Sequence, residues 1–177
     1  MRYQMVITGV GGQGIIFLVK LLSQCALNRG LNFIGTETHG MAQKGGTVIS
    51  YLKIGDFKAP LVGKGRAELL LGLYPTETLR FLYYLRPDGV IVTNVEGEDF
   101  PDLPFKTFKA PASKLAVSGE INPKSLNVFM LGYTMAVVEN FPFSKDEVEE
   151  AIHNINPRLA PFNVEALNKG YSFALNT

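Results

Sequence analysis

The sequence predicts an α/β fold, a three-layer α/β/α sandwich around a mainly parallel sheet. Three observations carry that prediction. Short apolar runs of strand length alternate with segments whose apolar residues recur every three or four positions. Glycine, proline and aspartate punctuate the joints between them. A glycine-rich loop, Gly9-Val10-Gly11-Gly12-Gln13-Gly14, stands between the first strand and the first helix, which makes the sandwich Rossmann-like.

The elements follow in order. Met5 to Thr8 is a short apolar run and reads as a buried first strand. From Ile15 to Arg29, the residues Ile15, Leu18, Leu22, Cys25 and Ala26 keep helical spacing, and Gly30 stops the helix as a C-terminal cap. Asn32 to Thr38 is a second strand, and the polar, glycine-rich stretch from His39 to Gly46 is a loop. Thr47 to Ile54 alternates as a third strand and ends in the Gly55-Asp56 turn. Glu68 to Leu73 is a fourth strand, followed by a helix from Thr76 to Leu85 and a Pro87-Asp88-Gly89 turn. Val90 to Asn94 is a fifth, apolar strand, and Phe105 to Lys109 a short edge strand beyond a loop. The remainder predicts helices over Ser125–Glu139, Lys145–Asn154 and Asn163–Ala174.

With 177 residues and no repeats or low-complexity linkers, the chain reads as a single domain over residues 1–177. Its 46% hydrophobic content is slightly high for its length, an excess that a chain with one face covered by a partner can carry. A net charge of +1, from 17 basic and 16 acidic residues, points to no nucleic-acid partner and no membrane surface. The start reads straight into a strand without signal-peptide character, and no run reaches membrane-span length, so a soluble, cytoplasmic protein is expected. Cys25 is the only cysteine, too few for a disulfide framework, a thiolate zinc site or an iron–sulfur cluster.

Two segments carry the candidate chemistry. In the first, Gly9, Gly11, Gly12 and Gly14, with Gln13 among them, satisfy G-x-G-x-x-G between a strand and a helix. Glycines let backbone N–H groups approach an anion, and the helix N-terminus adds partial positive charge. Glu37 ends the second strand, about where a dinucleotide-binding fold places its ribose acid. Three readings stand: close strand-to-helix packing alone, binding of a phosphate-bearing ligand, and binding of NAD or FAD. The second segment, Thr36 to Thr47, gathers Glu37, His39, Gly40, Gln43, Lys44, Gly45 and Gly46 in a loop expected at the carboxyl edge of the sheet. Its bland reading is a hairpin-like connection with solvated polar residues.

Gly-Val-Gly-Gly-Gln-Gly after the first strand, followed by His39-Gly40-Met41-Ala42-Gln43-Lys44-Gly45-Gly46-Thr47, resembles the gamma-type subunit of 2-oxoacid:ferredoxin oxidoreductases. Among these the small subunits of indolepyruvate oxidoreductases are nearest. Asn127 to Gly132 and Asn163 to Gly170 resemble that family's later segments, so the likeness spans nearly the whole chain. It implies a non-catalytic subunit of a complex that decarboxylates a 2-oxoacid on thiamine diphosphate, passes electrons through iron–sulfur clusters to ferredoxin and forms an acyl-CoA. The cofactors belong to companion thiamine-binding and iron–sulfur chains, with none in this one. Gly9–Gly14 and Glu37–Gly46 are then expected to face those chains and the coenzyme A region. The alternative is a free-standing dinucleotide- or nucleotide-binding protein that uses the Gly9–Gly14 loop, against which stands the lack of any evident substrate domain.

Other residues read as structural. Nothing in the sequence pairs His39 with a nucleophile, so orienting a loop or touching a partner is its expected role. His153 reads as a solvated helix residue, and two histidines without cysteine spacing give no metal site. Cys25 reads as a small core residue. Tyr83 and Tyr84, with Phe81 and Leu85, read as packing or subunit contact, and Lys64 and Arg66 as a solvated turn. An apolar face deprived of its partners leaves the isolated chain open to forming a homodimer.

Overall fold

The computed structural model describes residues 1–39, 45–97 and 99–177. Strands β1 (Tyr3–Val10), β2 (Phe33–His39), β3 (Thr47–Ile54), β4 (Ala67–Gly72), β5 (Leu85–Asn94) and β6 (Lys106–Ala110) form one sheet in the spatial order β2-β3-β1-β4-β5-β6. β1, β4, β5 and β6 pair in parallel. β3 runs antiparallel to both β1 and β2, so β2 points the same way as β1 but is separated from it by a strand. The reason is connection length. A parallel β2–β3 pair needs a crossover of about a dozen residues or more, and residues 40–46 are too few.

The helices are α1 (Ile15–Asn28), α2 (Pro75–Arg80), α3 (Ala112–Val117), α4 (Leu126–Val137), α5 (Lys145–Ile155) and α6 (Ala160–Leu175). Period-2 alternation sends Met5, Ile7, Leu52, Leu69, Leu71 and Val92 into a large core beneath α1, α4, α5 and α6. Val6, Ile49, Tyr51, Leu70 and Ile91 point to the opposite face and meet Val62, Phe81 and Leu85. The two outer layers are therefore unequal. One is built of long helices; the other consists of α2, a 3-10 turn at Leu82–Tyr84 and coil around Val62, Leu103 and Phe105.

Several predicted boundaries shift for identifiable reasons. The helix expected over Thr76–Leu85 ends at Arg80, because the following backbone bonds sideways: Gly65 and Arg66 N–H donate to the Tyr83 and Tyr84 carbonyls, each at 2.9 Å. The Pro87-Asp88-Gly89 turn lies inside β5, between the Ala67–Leu85 and Leu69–Val90 pairs, as an irregularity in the ladder. α3 was not expected; six residues after Pro111 are too short to display a helical period. α6 starts at Ala160, with a proline in its first turn where a missing N–H is harmless. The Gly30 stop is in place: Gly30 has φ 70°, and Leu31 N–H closes on the Ala26 carbonyl at 2.9 Å.

α4 is buried on every side from Asn127 to Thr134, which accounts for its nearly unbroken apolar sequence. α6 packs across it antiparallel, and the approach is set by two glycines. A Cβ on Gly132 would collide with the Leu167 carbonyl group, and one on Gly170 with the Phe129 carbonyl group. Cys25 is a core residue, 1% exposed, with its thiol 3.7 Å from the Glu147 carbonyl oxygen. Burial, and secondarily the Glu147 charge, pushes its pKa up to about 12. The native thiol should therefore resist iodoacetamide near its ordinary titration range of about pH 8.5 and react fully once denatured; mass spectrometry of the two samples checks this.

Candidate functional site

The two glycine segments meet at the carboxyl edge of the sheet. β1 and β3 pair through Val10 and Thr47, and the ladder continues beyond them. Gly11 N–H donates to the Gly46 carbonyl at 2.8 Å, and Gly45 N–H to the Gly11 carbonyl at 3.4 Å. The loop after β1 and the end of the β2–β3 connection thus form one backbone junction. Gly12, at φ 92°, and Gly14, at φ 79°, hold left-handed conformations that favour glycine, and Gly14 caps α1.

Gln13 locks this junction to the sheet. Its Oε1 accepts from Val10 N–H at 2.8 Å, and its Nε2 donates to the Leu73 carbonyl at 2.9 Å. A Cβ on Gly9 would sit 2.5 Å from Gln13 Oε1 and 2.9 Å from Ile15 Cδ1, so Gly9 is the space the glutamine occupies. The same Leu73 carbonyl accepts from Asn94 Nδ2 at 3.1 Å. Asn94 in turn donates to Ser113 Oγ at 2.8 Å and accepts from Ser113 N–H at 3.1 Å. From the other side, Asn127 Nδ2 donates to the Gly14 carbonyl at 3.0 Å. The ends of β1, β4 and β5 are joined through one carbonyl oxygen. A cleft of about 420 Å³ opens beside this network, walled by Tyr74, Pro75, Leu79, Val95, Phe100 and Ser113.

On the thinner face, Glu77 is 5% exposed, and its Oε2 has no hydrogen-bond partner. It faces Arg80 Nε at 3.6 Å, and Arg80 reaches Thr47 Oγ1 at 3.4 Å. Among the described residues, no group of three or more His, Cys, Asp or Glu side chains could hold a metal ion. No helix among them is long and apolar enough to cross a membrane.

The expected site residues therefore divide. Gly9, Gly11, Gly12, Gln13 and Gly14 come together with Gly45 and Gly46. Glu37 does not join them. It is exposed on the outer strand, level with Ser50 and Ile7, and two strand spacings, about 10 Å, from β1. In a dinucleotide-binding fold the acid-bearing strand lies beside β1; here β3 occupies that place. A fingerprint of that kind needs its acid on the strand next to β1, and Glu37 stands one strand farther out. Two loop donors, Gly11 N–H and Gln13 N–H, are also bonded internally, the latter to Val10 O at 3.2 Å. The backbone of His39 pairs with Val48 at the end of β2. Gly40, Gln43 and Lys44 lie outside the described residues. Asn94, Ser113 and Asn127 were not expected to serve the junction, because single polar residues at element ends give no periodic or motif signal.

Comparison with known proteins accords with this architecture. The family model described as pyruvate ferredoxin/flavodoxin oxidoreductase matches residues 4–173. Indolepyruvate oxidoreductase subunit IorB of Archaeoglobus fulgidus is 31% identical over 196 residues, covering 99% of this chain and 97% of that protein. The gamma subunit of a keto/oxoacid ferredoxin oxidoreductase from Geobacter sulfurreducens has the same fold, with a TM-score of 0.80, 21% identity and 99% of each chain covered. The 2-oxoglutarate:ferredoxin oxidoreductase of Magnetococcus marinus, solved with 2-oxoglutarate, coenzyme A and succinyl-CoA, superposes with a TM-score of 0.80 at 22% identity. That match takes in 99% of this chain and 31% of the other. This chain belongs to the pyruvate ferredoxin/flavodoxin oxidoreductase family.

Proposed function

We propose that this chain is the small, gamma-type subunit of a cytoplasmic 2-oxoacid:ferredoxin oxidoreductase complex and completes no reaction alone. The observation that carries this reading is the family likeness, which runs from residue 4 to residue 173. In the complex, a 2-oxoacid and coenzyme A give an acyl-CoA and carbon dioxide, and two electrons pass to ferredoxin. Thiamine diphosphate and the iron–sulfur clusters sit on companion chains. The residues here do not fit a cluster: the lone thiol, Cys25, is sealed in the core beneath α5. The glycine junction is a rim that faces those chains near the coenzyme A region, and the segment that carries Glu37, His39, Gly40, Gln43 and Lys44 contributes to the same contact. Gln13 keeps the rim rigid rather than binding a ligand, since both ends of its amide are bonded within the chain.

The test is anaerobic reconstitution with the companion chains of the same host. Ferredoxin reduction is assayed with indolepyruvate first and with pyruvate and 2-oxoglutarate beside it. Activity that needs this chain, absent from it alone, is the expected result. A complete complex that turns over equally well without it refutes the assignment. Titration of the isolated chain with NAD examines the nucleotide-binding alternative, and no saturable binding is expected.

A further inference from the structure

We propose that the thinly covered face of the sheet, around Leu61, Lys64, Arg66 and Tyr83, is the surface on which an acidic companion subunit docks. This rests on the subunit reading above and names a contact surface besides the glycine junction. Leu61 is 50% exposed and Tyr83 48% exposed. Two backbone bonds fasten the Gly65-Arg66 segment to Tyr83 and Tyr84, so the patch is continuous although its parts are distant in sequence. The Lys64 ammonium lies 5.8 Å from the Tyr83 ring centre.

Tyr83 is held like an anchor. Its ring packs on Tyr84 at a tilt of 38° with centroids 4.5 Å apart, and the Tyr84 hydroxyl meets the Tyr51 hydroxyl at 2.7 Å, rooting the pair in β3. A rigid, half-exposed tyrosine is the kind of group that dominates protein interfaces, because little conformational entropy remains to be lost on contact.

Charge selects the occupant. The segment Phe57–Arg66 carries Lys58, Lys64 and Arg66 and no acidic residue, in a chain whose net charge is only +1. None of these three cations forms an ion pair among the described residues. A cluster of acids, Asp146, Glu147, Glu149 and Glu150, lies on α5 across the sheet, and Glu77 on the thin face is buried against Arg80. A second copy docking by two-fold symmetry would set this cationic patch against the same cationic patch. An asymmetric copy would leave the same face open on the next chain and propagate a fibre. A nucleic acid would not match the Leu61–Tyr83 half of the patch. A companion chain bearing carboxylates around an apolar pocket satisfies both halves.

The test uses the full chain co-expressed with its companion thiamine-binding and iron–sulfur subunits and purified without oxygen. The Lys64→Glu/Arg66→Glu variant, shown to fold by circular dichroism and melting, is expected to recover about tenfold less complex or lower still. Glu150→Lys, on the opposite layer, should assemble like the wild type. On the wild-type complex, a zero-length carbodiimide should join Lys64 to a carboxylate of a companion chain, a readout independent of how the variant folds. Normal assembly of the variant, or cross-links confined to the helical layer, overturns this docking face and leaves the subunit assignment standing. Failure of the wild type itself to assemble defeats both.

Discussion

Gly170→Ala is expected to lower the free energy of unfolding by about 3 kcal/mol or more, an effect at the upper end for a single added methyl group. The added Cβ would fall inside contact distance of the Phe129 carbonyl oxygen, and lie 2.8 Å from its carbon and 2.9 Å from Tyr133 N. All three are backbone atoms of α4, so no side-chain rotation relieves the overlap. The two helices must separate, and Phe173, which packs on Phe129 and Tyr133 at ring-centre distances of 5.9 and 6.1 Å, loses contact with both. Gly30→Ala is the matched control. Gly30 also holds a glycine conformation, at φ 70°, but nothing stands within 4 Å of its Cβ position. Left-handed strain alone should cost it about 1–2 kcal/mol. Chemical denaturation of the two variants beside the wild type checks the contrast, and equal losses would show that the α4–α6 approach is not set by backbone contact.

Gly14→Ala is expected to cost about 2–3 kcal/mol and to lower the activity of the reconstituted complex. Two causes add. Gly14 has φ 79°, where an L-residue is strained by about 1–2 kcal/mol. Its Cβ position also overlaps the Asn127 side chain, whose Cγ is 3.0 Å away, so the Asn127 amide must leave the Gly14 carbonyl and surrender about 1 kcal/mol of hydrogen bonding. Asn127→Ala removes the obstacle along with the bond. The double variant should consequently be less destabilised than the sum of the single ones, by about 0.5–1 kcal/mol. Strict additivity in denaturant melts would mean that Asn127 does not brace the junction.

Much of this molecule is legible in one dimension. The short apolar run of β1 and the alternation of β3 mark them as strands, and the three- and four-residue spacing of Ile15, Leu18, Leu22 and Cys25 gives α1 its buried face. The positions where the chain must turn or pass close to itself are written as glycine, and Gly9, Gly14, Gly30, Gly132 and Gly170 each meet such a demand. These signals are local, because a pleat, a helical period or a left-handed residue needs only its immediate neighbours.

The neighbours of a strand are a different matter, since pairing joins residues far apart in the chain. The sequence identified β2 and β3 as strands but not that β3 would run antiparallel between β1 and β2, carrying Glu37 away from the glycine loop. Nor could it reveal that Gly11 and Gly46 share a hydrogen bond, or that Gln13 and Asn94 converge on the Leu73 carbonyl. Composition and periodicity determined the layers of this protein and the places where its backbone is special. Strand order, and with it the identity of the junction, was decided in three dimensions. It depends on which connections are long enough to cross over and on which buried polar groups find partners once the sheet has closed.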